Sequence, residues 1–351
     1  MPITAFRNKD SRGRASGRRI HRREHPFVRD HQLTAEHIVV ARMADKRQVF
    51  SRFDRPVDAD TRLSHTMAVR RVSVSIAHEL RLNEELTAAM SLCHDVAHCP
   101  YGHLGEKTLN TYLRELGLRD YDHVDVAPFL LYNLFGLDLT CEVLEGITWH
   151  SYSSGVMQAN VPSEYRVVAV SDKIAYLLGD AWDATRLRNS VLRNKHTQLS
   201  EEEMPGLVSE IELLHGKLGG NYRERLDSVV EAIARESLEV GEVSFSSSSE
   251  AATLSNLRDT LFESLYSNTD LPEDIARLHR VLDKLVRSGI KANPYLLFAL
   301  LTDYELYALD CLSEGRPITQ EHIAQLQVGE FGLPSREDFS FLSSRFVRGS
   351  T

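Results

Sequence analysis

The sequence predicts an all-α fold. From Thr34 almost to the C-terminus, apolar residues recur at helical spacing. Val69, Val72, Ile76 and Leu80 show it best, falling three or four apart on one face of a 3.6-residue helix. Alternating apolar/polar stretches of the kind a half-buried strand needs are nearly absent.

The elements follow in order. Residues 1–30 are rich in Arg, Ser and Gly and poor in apolar positions, which predicts a basic, mobile arm. Helices are expected over about 34–48, the stretch carrying His65 to Leu80, 85–96, 104–117, 123–135, 139–150 and 163–188. Later helices are expected over about 200–216, 222–240, 253–267, 271–288, 293–313 and 319–326. Arg52 to Asp60, with Pro56 and three aspartates, reads as a loop ahead of the helix with His65. Phe245 to Glu250 contains four consecutive serines and reads as a flexible connection. It divides a catalytic domain, 31–243, from a C-terminal helical region, 244–351, packed on that domain or continuing it. The sequence shows no internal repeat.

Composition narrows the class. Apolar residues make up 42% and charged residues 26% of the 351, ordinary for a globular protein with a sizeable core. No run approaches the ~20 apolar residues of a membrane span, and the basic N-terminus lacks the apolar stretch of a secretory signal. The four cysteines, Cys93, Cys99, Cys141 and Cys311, form no Cys-x-x-Cys pair, so a disulfide framework or thiolate zinc site is not expected. A cytoplasmic location without membrane contact follows. Residues 1–29 hold nine Lys/Arg and two Asp/Glu, leaving 32 basic against 48 acidic residues elsewhere. Such an arm is either a solvated tail or a contact for single-stranded nucleic acid or an acidic partner.

Chemistry concentrates in the histidines. Seven of fifteen lie between residues 65 and 150, and five of them, His65, His94, His98, His103 and His123, surround one His94-Asp95 pair. Pro100 and Gly102 end the helix carrying that pair. His98 lies four residues beyond His94 on the same face. His103 and Glu106, at i and i+3, share a face where the next helix starts. Imidazoles with carboxylates bind divalent first-row metals, and a neighbouring His and Glu can position or deprotonate a water. An apolar core does not collect so many polar groups that need partners. A metal site follows, though not the reaction it serves.

The residues His65, His94-Asp95 and Asp172 resemble the H…HD…D signature of the HD superfamily of metal phosphohydrolases. The surrounding text narrows the resemblance. Asp-Lys-Arg-Gln-Val-Phe50, Thr-Arg-Leu-Ser-His65, the stretch His94 to Glu106 and Ser-Asp-Lys-Ile-Ala-Tyr176 occur in order. Together they are similar to the dGTPase-like deoxynucleoside triphosphate triphosphohydrolases over about residues 25–190, with a weaker echo at Leu-Leu-Thr-Asp303. The resemblance implies an HD-domain helical bundle with additional C-terminal helices. It implies His65, His94, Asp95 and Asp172 as metal ligands, and His103 and Glu106 as an acid/base pair. His98 and His123 would lie at the α-phosphate, Arg62, Lys173 and Tyr176 would grip phosphates, and Asp180 would face the sugar 3′-hydroxyl with Gln48 beside it. Asp172, Tyr176 and Asp180 also recur at i, i+4 and i+8, one stripe of a helix. The implied cofactor is one divalent ion, with Mn or Mg favoured although the donor set accepts Fe, Co, Ni and Zn. The implied substrate is a deoxynucleoside triphosphate, and the implied assembly is a homo-oligomer.

The match departs at Ala97, Cys99 and Val124-Asp-Val126, and the interval from Asp95 to Asp172 is short, so nucleotide-activated allostery is not assumed. Two other readings keep the same residues. One is a phosphohydrolase or phosphodiesterase for nucleoside monophosphates, cyclic nucleotides or nucleic-acid ends, with an extra ion held through His98 and His103. The other is a non-catalytic nucleotide- or nucleic-acid-binding regulator.

Overall fold

The computed structural model describes residues 3–21, 23–50, 60–150, 161–186, 197–313 and 316–343. The loop expected over Arg52 to Asp60 lies outside them except for Asp60. All regular elements among the described residues are helical, joined by three isolated bridges, so the fold is all-α as expected.

The main helices are α1 (Pro26–Ala35), α2 (Arg62–Glu79), α3 (Glu84–Cys93), α4 (His103–Glu115), α5 (His123–Phe129), α6 (Cys141–Gly146) and α7 (Ser163–Arg186). They continue as α8 (Met204–Leu218), α9 (Tyr222–Val240), α10 (Ser249–Ser264), α11 (Pro272–Arg287), α12 (Pro294–Leu300) and α13 (Asp303–Leu312). None of the described helices is long and apolar enough to cross a membrane.

Boundaries differ from expectation where local chemistry intervenes. The helix expected over 34–48 is instead α1, begun by Pro26 in the first turn, followed by single turns at Ile38–Ala41 and Arg42–Asp45. His37 separates them, its ring accepting from the amide of Val39 at 3.2 Å. The helix expected over 293–313 is two helices. Thr302 caps the second, and Glu305 returns the bond to the Thr302 amide at 2.9 Å, a capping box that restarts the chain at a new angle.

Two apolar packs form the body. One gathers α1, α3, α4, α5 and α6 around Phe27, Met90, Leu109 and Leu144, and α11 to α13 complete it through Leu282, Phe298 and Leu309. The other gathers α2 and α7 to α10 around Ile76, Leu178, Ile211, Ile233 and Leu257. Helices beyond residue 244 thus contribute to both packs. The serine tract expected to be flexible is pinned by the Glu236 carboxylate, which accepts from the Ser246 amide at 2.7 Å, the Ser247 amide at 3.0 Å and the Ser244 hydroxyl at 2.6 Å. Ser248 then caps α10.

In the described part of the basic stretch, expected as a mobile arm, several side chains make ion pairs and packing contacts. The Arg14 side chain is fully buried and ion-paired with Asp30 and Glu24. Arg12 bonds Glu142 at 3.0 Å and pairs with Glu145. The Phe6 amide donates to Glu164 at 2.8 Å, and its ring lies between those of Phe27 and Tyr165. The composition is that of a solvated tail, but Arg12 meets Glu142 and Glu145 of the body and Arg14 meets Asp30 and Glu24 within the stretch itself. Breaking a buried pair strands the other charge and costs about 3–5 kcal/mol. Arg14→Met is therefore expected to destabilise the fold by that amount in urea unfolding, whereas a detached arm predicts no change.

Candidate metal centre and active site

Three helices bring the proposed ligands together. Thr61 caps α2 by accepting from the Ser64 amide, which fixes the first turn carrying Arg62 and His65. Asn83 caps α3, whose last turn runs into His94 and Asp95. Asp172 stands mid-way along α7. His65 Nε2 lies 3.0 Å from Asp172 Oδ1 and 3.8 Å from Asp95 Oδ2. His94 Nε2 lies 3.4 Å from Asp95 Oδ1 and 3.6 Å from Asp172 Oδ1. The four sequence-predicted ligands therefore face one another across a space of ion size.

Electrostatics fit a cation there. His94 donates through Nδ1 to the Ser91 carbonyl at 2.7 Å, which turns Nε2 inward, buried and without a hydrogen-bond partner. Burial pulls the His94 pKa down, but Asp95 and Asp172 outweigh it and push it up to about 9. Burial works to raise both aspartates, yet His94 with His98 and Arg62 holds Asp95 well below the usual carboxylate range, and His65 with His94 does so for Asp172. Two buried carboxylates that ionised demand positive charge, and a divalent ion supplies it without protonating the imidazoles.

Arg62, expected at a phosphate, donates to Asp95 Oδ2 at 2.8 Å. Gly102, at φ +61°, lies directly over it, and a Cβ there would come 2.4 Å from Arg62 Nη2. Only glycine suits both the backbone and the space. Glu106 accepts from the His123 amide at 2.8 Å, from the His123 ring at 3.2 Å and from the His103 ring at 3.4 Å. Burial would raise its pKa, but His123 and His103 dominate and hold it ionised. His98 stacks on His123 with ring centroids 3.7 Å apart and lies 3.3 Å from Asp95 Oδ1. His103 stands at the rim with its side chain 76% exposed.

Arg62, His65, Asp95, His98, His103, His123 and Asp172 line a cavity of about 470 Å³, the size of a small-molecule site. Gln48, Tyr176 and Asp180 line the same cavity, Asp180 standing about two turns along α7 from Asp172. Asp180 is buried, which pushes its carboxyl up to about 8 despite a 2.6 Å bond from the Tyr266 hydroxyl. Gln48 Oε1 is buried without a hydrogen-bond partner. Lys173 is half-buried beside Asp172 and Arg258 but is not among the lining residues.

Sequence reasoning missed other lining residues. His150 is buried with Nε2 4.0 Å from Asp95 Oδ1, and its membership of the 65–150 histidine cluster was the available signal. Tyr266 and Phe262 come from α10 and its exit, with no local motif to mark them. Lys107, one turn beyond His103, lies on the rim.

Comparison with known proteins agrees with this geometry. A family model of the HD domain matches residues 62–177, the span from Arg62 past Asp172. A deoxyguanosinetriphosphate triphosphohydrolase-like protein of Caldanaerobacter subterraneus is 34% identical over 284 residues, covering 80% of this chain and 77% of that protein. One of Geobacter sulfurreducens is 30% identical over 329 residues, covering 84% of each. One of Clostridium perfringens is 34% identical over 230 residues, and there the chain spans 63% of the relative's length. The chain therefore belongs to the deoxyguanosinetriphosphate triphosphohydrolase-like family and is an HD-domain phosphohydrolase.

Proposed function

We propose that the protein hydrolyses a deoxynucleoside triphosphate to the deoxynucleoside and inorganic triphosphate. The observation that carries this reading is one cavity lined by His65, Asp95 and Asp172 and also by Asp180 and Tyr266, with Asp180 about two turns along α7 from Asp172. That spacing suits a phosphate over the metal ligands and a sugar against Asp180. His65, His94, Asp95 and Asp172 would hold the ion, which when bound polarises a phosphoryl oxygen as a Lewis acid.

The chain's own groups account for the remaining work. Water attacks the α-phosphorus, the bond to the 5′-oxygen breaks, and that oxygen takes up a proton as triphosphate departs. Glu106, held as a carboxylate, orients His123 and His103 on either side of the reacting group. The Glu106 carboxylate then receives the proton of the attacking water, and His103, open at the rim, supplies one to the leaving oxygen. Arg62 places fixed positive charge next to Asp95 where phosphate negative charge accumulates. At neutral pH the Asp180 carboxyl is largely protonated, so it can donate to a sugar hydroxyl, and Gln48 Oε1 is an acceptor in want of a donor.

Incubating the purified protein with each dNTP and Mn or Mg, and resolving the products, tests the reaction. Triphosphate with deoxynucleoside is expected, and His94→Ala is expected to abolish it. Orthophosphate as product would favour the monophosphatase or phosphodiesterase reading, and inertness toward all four dNTPs would sink the proposal. Glu106→Gln keeps the shape but not the charge that orients both histidines, and kcat is expected to fall by about 10²–10⁴.

Asp180 links function to stability. Its folded-state pKa, about 8, lies above the ordinary 3.8, so the ionised form is penalised in the fold. Stability is lost as pH rises through that window, by at most about 1.4 kcal/mol per pH unit. The groups facing it are Tyr266, Asp183, Asp60 and Arg62. Asp180→Asn is expected to raise Tm by an amount that grows between pH 5 and pH 8 and then levels, while KM for the nucleotide rises. A pH-independent Tm difference would contradict this.

A further inference from the structure

One buried cation stands just outside the cavity. Lys46 is 3% exposed, and the two residues that follow it, Arg47 and Gln48, line the cavity while Lys46 does not. Its ammonium donates to the His98 carbonyl and, at 3.4 Å, to the Ala299 carbonyl. Among the described residues no carboxylate pairs with it. The nearby Asp303 accepts instead from the Arg47 and Tyr101 amides, and Glu305 pairs with Arg42 at 2.6 Å. Burial pulls the lysine down to about 8. A charge buried without a counter-ion is costlier than an apolar side chain of similar shape. Packing alone therefore does not account for a lysine at this position.

Its contacts join two separate parts of the chain. The Lys46 carbonyl accepts from the Arg62 amide at 2.9 Å, in the first turn of α2, and Arg47 and Thr61 form an antiparallel bridge beside it. The Lys46 side chain holds the carbonyl of His98, where the turn running to His103 begins. That turn is short of internal bonds. Pro100 has no amide hydrogen, Tyr101 and Gly102 have positive φ, and the Gly102 amide bonds the Cys99 carbonyl at 3.0 Å. On the other side, Arg62 donates to Asp95 at 2.8 Å, and the His98 amide donates to the Asp95 carbonyl at 3.2 Å. Lys46 thus closes a ring of contacts that runs from Arg62 through Asp95 to His98 and back.

We infer that Lys46 is a positioning residue, fixing the spacing between Arg62 and His98 by holding one through its carbonyl and the other through its ammonium. The inference rests on the reading of Arg62 and His98 as phosphate contacts. Lys46 acts through them and meets no substrate itself. The charge has a use in this role, because an ammonium grips carbonyl oxygens more firmly than a neutral donor does. A shift of about 1 Å in such groups lowers turnover by about 10²-fold, even when the altered residue lies away from the reacting atoms.

The test is Lys46→Met in the full chain, a change that keeps the shape out to the ε-carbon and removes the charge. The backbone still holds Arg62, so the His98 turn alone is released. Loss of the buried charge and loss of its two hydrogen bonds oppose each other, so Tm is expected to stay within about 3 °C. For the dNTP that the unaltered protein cleaves best, kcat/KM is expected to fall about 10²-fold, mainly in kcat. Amide hydrogen exchange without nucleotide is expected to quicken in the peptide spanning residues 96–104 and to stay unchanged elsewhere. A lower Tm with unaltered kcat/KM identifies a purely structural lysine and overturns the inference, as does unchanged exchange in that peptide. Lys46→Gln is run beside it, and circular dichroism identifies the variant that keeps the fold. Failure of both to fold also overturns the positioning role. Inertness of the unaltered protein toward every dNTP sinks the proposed reaction, whereas the exchange measurement still decides whether Lys46 holds the turn.

Discussion

The carboxylate of Asp95 is the point on which the site depends. It is buried, and a buried carboxylate is tolerated only when paired and hydrogen-bonded. Its partners come from separate places in the chain: Arg62 and His65 from the start of α2, His94 beside it, His98 from the next turn and His150 from the end of the α6 segment. Each is itself buried. The charge therefore fixes where three stretches of backbone meet. Gly102 belongs to the same constraint, since any side chain there would displace the guanidinium from Asp95.

A second layer holds that meeting point from behind, and it comes from the far end of the chain. Asp303, fully buried, accepts from the Arg47 amide and the Tyr101 amide, both at 2.8 Å. It thereby ties the Gln48 segment to the turn between His98 and His103. Lys46 donates to the His98 carbonyl, and Arg47 pairs with Asp274 at 2.7 Å while lying over the Tyr101 ring. The C-terminal helices are thus part of the active-site scaffold. This explains how a turn containing Pro100 and two positive-φ residues, Tyr101 and Gly102, keeps one geometry.

The candidate ligand set was legible in the sequence because its parts are local or motif-bound. His94-Asp95, the i, i+3 pairs Arg62/His65 and His103/Glu106, and the stripe Asp172, Tyr176, Asp180 are set by helical spacing alone. The all-α class was equally legible from periodicity. What escaped was tertiary. Tyr266 reaches Asp180 across 86 residues of chain, and no pattern around Leu265 announces it. The burial of Arg14 depends on its meeting Asp30 and Glu24 within the folded stretch, whereas composition reads only an Arg-rich tail. His150 was visible as a seventh histidine. Its place beside Asp95 emerges only in the fold. Helix boundaries failed where side chains rather than apolar spacing decide them, as at His37 and Thr302.

Asp95 and Asp180 show how one cavity keeps two carboxylates in opposite states. Burial acts on both in the same direction, toward the neutral acid. At Asp95 the imidazoles and Arg62 supply more favourable charge than burial removes, so it ionises and attracts cations. At Asp180 the neighbours include Asp183 and Asp60, and the Tyr266 hydroxyl alone does not compensate, so the proton stays to about pH 8. The cavity consequently changes character along its length. Its metal end favours the charged part of a ligand, and its Asp180 end favours a neutral group that accepts a hydrogen bond. A deoxynucleoside triphosphate has the same polarity, charged at one end and hydroxylated at the other. The orientation proposed for such a substrate therefore rests on where the chain places its arginine and histidines, before any contact with the base is considered.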